Sequence, residues 1–320
     1  MLGLILAPMV AARNRVLRAQ CAGPSAREQR APKRSGYAED MLRLPAPVRG
    51  LGLSDAPRAL ELCGRDPVTN VFVAARILEG GMAGGRSSVL GCERDGRIGL
   101  CWTSANVVPV ELDEDMIEPL AAKVTKRRAW ASSLFGPVDQ VLPLWETLAP
   151  QWGPAREVRR NQPVLTMDLS PSLLGVAADP HVRPATVEET DLVVPAAAAM
   201  FTEEIGYPPY RGSDRAYRLS VGALVRAGRS LVRIEDGEVV FKADIGSVAL
   251  GVAQVQGVWV HPRWRGRGVA VPAMAAVVEH ILDHVAPTVT LYVNDFNGPA
   301  LATYRHVGFV RTGTFATVLL

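Results

Sequence analysis

The chain has 320 residues, of which 48% are apolar, 6% aromatic and 21% charged. This is an ordinary globular balance, able to bury a sizeable core, and it excludes a chain that is disordered throughout. Net charge is +3, but residues 1–40 hold seven Arg and Lys against three acids, which leaves the other 280 residues at −1. The basic excess thus belongs to the N-terminal stretch, and no basic face interleaved with aromatics argues for nucleic acid. The four cysteines (Cys21, Cys63, Cys92, Cys101) lack metal-ligand spacing. They read as free thiols, although Cys92 and Cys101 flank a predicted hairpin and could face each other. Five histidines without a His/Cys/Asp cluster predict no metal site.

Residues 1–45, rich in Ala, Arg and Pro, read as disordered, or as translation upstream of a start near Met41. The apolar run 2–12 is too short to span a bilayer, and its basic residues follow rather than precede it, so neither a membrane span nor a secretory signal is expected. The location read from this is cytoplasmic.

In chain order, 54–63 and 66–78 predict helices, the second opened by Asp66 and Pro67. The stretches 88–93 and 98–103, joined around Asp95 and Gly96, predict a hairpin. Then come a strand at 106–112, a helix from Asp113 to about 126, a strand at 130–135, a helix at 138–152 and an extended segment at 158–169. Prolines and serines in 171–183 mark a linker. The second half starts with a capping box at Thr186 and Glu189. It continues with helices at 191–205 and 213–227, a hairpin at 230–245, a strand at 254–260, a helix at 271–284, a strand at 289–293, a short helix at 299–306 and a last strand at 308–319. Both halves follow one order: helices, hairpin, strand, helix, strand, helix, strand. A structural duplication is therefore expected.

The halves differ at one turn. Residues 258–270 read VWVHPRWRGRGVA: a strand, a basic glycine-punctuated turn, then a helix. Such an arrangement aims backbone N–H groups and the positive end of the helix dipole at one anion. In the first half the corresponding strand runs into Asp113, Glu114 and Asp115, which would repel a phosphate.

Two stretches carry a family resemblance. Arg265, Gly268 and Ala270 match an Arg-x-x-Gly-x-Ala acyl-CoA pyrophosphate signature. Residues 291–300, LYVNDFNGPA, followed by Tyr304, Gly308 and Phe309, match the next signature of the same family in order and spacing. Residues 184–320 therefore resemble a GNAT-superfamily N-acetyltransferase. The whole chain is similar to actinobacterial-type members with a degenerate GNAT-like N-terminal half. The resemblance implies an α/β (α+β) fold of two GNAT-like domains in tandem, each a mixed, mostly antiparallel sheet flanked by helices: 46–170 degenerate, 184–320 catalytic. It implies acetyl-CoA as donor, with no metal. It implies an amine-bearing small molecule or peptide as acceptor, and a protein acting as a monomer or homodimer. The donor would lie along Val258, Trp259 and Val260, with its phosphates at Arg265, Gly266, Arg267, Gly268, Val269 and Ala270 and its arm at Asn294 and Asn297. Tyr304 matches the general acid. Gln254 stands about where many members carry a basic Glu, and an amide cannot act as a base. Glu203 and Glu204, on the element bordering the acceptor side, are the acidic candidates. Loss of the usual base leaves an alternative: a catalytically impaired acyl-CoA-binding sensor or interaction protein.

Overall fold

The computed structural model describes residues 48–83 and 88–320. The predicted tail 1–45 lies outside the described residues. Strand β1 (Val48–Gly50) precedes helices α1 (Ala56–Cys63) and α2 (Pro67–Leu78). Helix α2 starts as expected, the Asp66 side chain accepting from the Thr69 N–H at 3.0 Å. Strands β2 (Val89–Arg94) and β3 (Arg97–Thr103) form the first hairpin. Its turn residues Asp95 and Gly96 both take positive φ (49° and 76°), the mirror-image turn that suits strand twist. Cys92 lies opposite Gly99, and Cys101 opposite Leu90, so the two cysteines do not face each other. Burial pushes the Cys63 and Cys101 thiols up to about 12, which leaves them inert.

Strand β4 (Asn106–Val110), helix α3 (Glu114–Val124), strand β5 (Ser133–Pro137), helix α4 (Val138–Trp152) and strand β6 (Glu157–Met167) complete the first half. The second half begins with β7 (Arg183–Pro184), α5 (Thr190–Ile205) and α6 (Arg215–Arg226). The hairpin of β8 (Ser230–Glu235) and β9 (Glu238–Ala249) follows, closed by Asp236 and Gly237 at φ 50° and 75°, the same chemistry as the first. Then come β10 (Val252–Val260), α7 (Ala270–His284), β11 (Thr288–Tyr292), α8 (Gly298–Val307) and β12 (Val310–Leu319). Strands β1 and β7 are the elements the sequence does not announce. At three and two residues, they are too short to show an alternating pattern.

The twelve strands form one sheet in the order β1-β2-β3-β4-β5-β12-β6-β11-β10-β9-β8-β7. Only β4–β5 and β10–β11 pair in parallel. The two expected sheets are therefore continuous, and their join is an exchange. The last strand of the chain, β12, pairs with β5 of the first half, while β6 of the first half pairs with β11 of the second. Between them β12 and β6 pair antiparallel along most of their length. Side chains alternate across this sheet as the pleat requires. Val107, Leu134 and Val318 join α3 and α4 on one face. Val108, Phe135 and Phe315 join α1 and α2 on the other. That second cluster also takes in Ala249 and Val252, so helices of the first half cover strands of the second. In the second half α7 and α8 pack over β9, β10 and β11, while α5 and α6 cover the opposite face.

Candidate active site

Strands β10 and β11 stay paired only from Val252 to Gln254, opposite Thr288 to Thr290, and then diverge. The divergence opens a cavity of about 800 Å³. Its walls are the stretch 255–260 of β10, the glycine turn with the first residues of α7, the loop from Asn294 to Asn297, Tyr304, the end of α5, and Gln162 from β6. A much smaller hollow of about 240 Å³ lies near the far edge of the first half, beside the Arg49–Asp55 ion pair.

A bulge shapes the β10 wall. Gln256 lies opposite Asp244 and Trp259 opposite Lys242, so Gly257 and Val258 face the single residue Ala243. Gly257 takes φ +60°, and a Cβ there would stand 3.1 Å from Asp244 Oδ2. Behind it Lys242, fully buried, forms an ion pair with Asp244 and reaches the Gly257 carbonyl at 3.5 Å. Ser230 Oγ donates to the other Asp244 oxygen at 2.8 Å. Breaking a buried pair by removing one partner leaves an uncompensated charge. Lys242→Met is thus expected to lower unfolding free energy by about 3–5 kcal/mol in denaturant titration, and Lys242→Met/Asp244→Leu to recover most of it.

The turn after β10 is open in front of its glycines. Gly266 and Gly268 take φ 72° and 78°, and nothing lies within 4 Å of where a Cβ would stand at either. Val269 caps α7, whose first residue is Ala270, and the first N–H groups of a helix lack intrahelical acceptors. Arg265 crosses this turn. Its Nε donates to the Val260 carbonyl at 2.9 Å, and its Nη2 donates to both Glu203 oxygens at 3.0 and 2.7 Å. The Trp259 indole also donates to Glu203, at 3.2 Å. Glu203 is thus engaged by Arg265 and Trp259, whereas Glu204 is not. The Arg267 guanidinium stacks 5.6 Å from the Trp264 ring centroid, outside the cavity wall. Arg263 pairs with Glu238.

On the opposite lip, Asn297 caps α8 by accepting from the Ala300 N–H at 3.2 Å, leaving its side-chain NH₂ for other acceptors. Asn294 accepts from Gln162 at 2.8 Å. Tyr304 is buried on α8, its ring 5.8 Å from that of Phe309. Burial, and next the charge of Glu204, hold its pKa above the ordinary phenol value, so the hydroxyl keeps its proton at neutral pH. The Glu204 side chain is 40% exposed and lines the cavity. Burial lifts its pKa above the usual carboxylate range; Arg159 pulls it back and Glu157 adds to the rise. Gln254 is buried in the cavity wall.

Gln162, from outside the sequence motifs, also lines the cavity, as do Tyr292 and the exposed Phe296 of the 291–300 signature. Gln162 and Arg159 stand out only as buried polar residues of a strand assigned to the other half. In the first half, β4 and β5 pair only at Asn106 and Val107, and no glycine turn follows β4. Gln140 accepts from the Leu112 N–H at 3.0 Å, and Asp113 and Asp115 pair with Arg97 at 2.7 and 2.8 Å. Among the described residues no group of His, Cys, Asp and Glu could hold a metal ion, and no helix is long and apolar enough to cross a membrane.

Residues 197–309 match the model of the acetyltransferase (GNAT) family, and residues 87–193 match a domain of unknown function, DUF4081. Among solved structures, a GNAT-family acetyltransferase from Colwellia psychrerythraea aligns with 85% of this chain and 99% of its own, at 13% identity and TM-score 0.53. A GCN5-related N-acetyltransferase from Sphaerobacter thermophilus aligns over 86% and 96%, at 18% identity and TM-score 0.57. These likenesses establish a shared fold across both halves. No curated protein sequence matches the chain. The match to the GNAT family of acetyltransferases thus falls within the C-terminal half of the chain.

Proposed function

We propose that the chain is an acetyl-CoA-dependent N-acetyltransferase acting in a ternary complex, with residues 184–320 as the catalytic unit, 46–170 as a degenerate companion and 171–183 as the linker. The observation that carries this reading is the splay of β10 from β11, ending on the open glycine turn at Gly266 and Gly268 with Tyr304 in the same cavity. The unpaired β10 edge from Val258 to Val260 offers backbone partners to an extended acyl-pantetheine arm, as an added strand would. The turn and the start of α7 suit its phosphates. Arg265 can exchange Glu203 for a phosphate, since a guanidinium fork accepts either anion. Asn294 and Asn297 would border the arm on the other side.

The chemistry then divides among the chain's own groups. Glu204 takes a proton from the incoming ammonium, a task favoured by a carboxyl pKa that burial raises. The neutral amine attacks the thioester carbonyl, and N–H groups near the β10 bulge stabilise the developing oxyanion. As the C–S bond breaks, Tyr304 donates its proton to the departing thiolate and its phenolate takes back the second proton from the nitrogen, leaving a neutral amide. The acceptor is a primary amine on a small molecule or peptide, in the cytoplasm. The buried amide of Gln254, where a base would be conventional, favours a second reading as an acyl-CoA sensor without transfer.

Acetyl-CoA is expected to bind in calorimetry, to raise the melting temperature, and to be consumed with at least one amine of a broad panel. A protein that neither binds acetyl-CoA nor shifts in melting temperature refutes both readings. Gly268→Val sets a β-branched residue at φ 78° and fills the space in front of the turn; it is expected to weaken acetyl-CoA binding about tenfold or more, a change of about 1.4 kcal/mol.

A further inference from the structure

Helix α5 ends with Glu203, Glu204 and Ile205, the two glutamates in the cavity wall, and the last carbonyls of a helix need donors from outside it. Two of those donors come from the first half. Arg156 Nη1 donates to the Ile205 carbonyl at 3.2 Å, and Arg159 Nη2 donates to the Glu204 carbonyl at 2.8 Å. Arg159 belongs to β6, and only 7% of its side chain is exposed. It also grips Glu157 with two bonds of 2.9 and 3.1 Å, and its Nη1 lies 3.7 Å from the Glu204 carboxylate. One buried guanidinium thus holds both the backbone and the charge of a single residue from the other half. Three positions further along β6, buried Gln162 accepts from Thr317 Oγ1 at 2.6 Å while donating to Asn294. A strand of the first half therefore touches both lips of the cavity.

We propose that Arg159 is a positioning residue for acetyl transfer, supplied across the seam by the first half, which fixes the Glu204 carboxylate in the cavity. The proposal rests on the reading of Glu204 as the base. The groups facing Glu204 are Arg159 and Glu157 from β6, Tyr292 from β11, Tyr304 from α8, and the neighbouring Glu203 with its partner Arg265. Of the two arginines, Arg265 is committed to Glu203, so Arg159 is the cation that favours ionised Glu204. Its removal should push the carboxyl further up.

The test uses the full chain with Arg159→Met, Arg159→Lys and Glu204→Gln. The Glu204 carboxyl is followed by carbon NMR against pH, assigned by its loss in Glu204→Gln. In Arg159→Met its midpoint is expected to rise by about one pH unit or more, and in Arg159→Lys by less. The acid limb of kcat/KM for an accepted amine should rise in step, with acetyl-CoA affinity unchanged, and Glu204→Gln should abolish that limb. Should Arg159→Met fail to fold, Arg159→Gln keeps a donor for the Glu204 carbonyl without the charge and carries the same titration. Coincident midpoints in variant and wild type overturn the proposal, whether or not any amine is acetylated. A wild-type protein that acetylates no amine overturns the transfer reading alone, because the titration still reports the coupling.

Discussion

Replacing Tyr304 by Phe is expected to lower kcat by about 10²–10⁴, the usual contribution of a positioned general acid, with acetyl-CoA affinity little changed. The reason is geometric. Phe keeps the ring that packs 5.8 Å from Phe309, so the core of the second half is left intact and only the hydroxyl is lost. In the wild type the raised pKa of Tyr304 means that no alkaline limb from this group should appear below its ordinary titration near pH ~10. Steady-state kinetics together with calorimetry check this. Turnover equal to wild type with every accepted amine would remove Tyr304 from the mechanism and favour the sensor reading.

Cutting the chain and deleting half of it should have opposite consequences. Residues 172–175 are exposed, so a protease site placed there can be cleaved in the folded protein. The nicked chain is expected to elute as one body, melt in one transition and still bind acetyl-CoA, because β6 and β12 remain interleaved. Deleting residues 1–170 removes β6, the strand that lies between β11 and β12. Both then present bare edges, and α5 loses the two arginines that cap it. That fragment is expected to show no cooperative melt and no acetyl-CoA binding. Isolated 171–320 that melts cooperatively and binds with full affinity would mean that the seam is dispensable.

The elements and the donor turn were legible because their signals are local. Asp66 before Pro67, Asp95 before Gly96, and Asp236 before Gly237 each encode a cap or turn within a few residues. Likewise Arg265, Gly268 and Ala270 sit on one strand–turn–helix. The acceptor side was less legible because its parts are far apart in sequence. Glu204 meets Arg159 across 45 positions, and Gln162 meets Asn294 across 132. Nothing in the alternating pattern of β6 or β12 states which sheet each will join, since each reads as the last strand of its own half. The buried polar set Arg159, Gln162, Thr166 and Thr317 was the available clue. A strand edge with solvent or a helix beside it has little use for so many enclosed polar groups. Glu203 and Glu204 looked equivalent as neighbours. On a helix consecutive side chains diverge, and here they meet different arginines.

The exchange of final strands also bears on the order in which the molecule can be made. Multi-unit proteins commonly fold from the N-terminus while still being synthesised. Here the ten residues of β12, the last strand to emerge, fill the place between β5 and β6. Until they leave the ribosome, β5 has an open edge, and β6 cannot be attached to the strands that precede it. The first half is therefore translated first but completed last. A premature stop within 310–319 would damage the sheet of the half translated longest before it, as well as that of the half it interrupts.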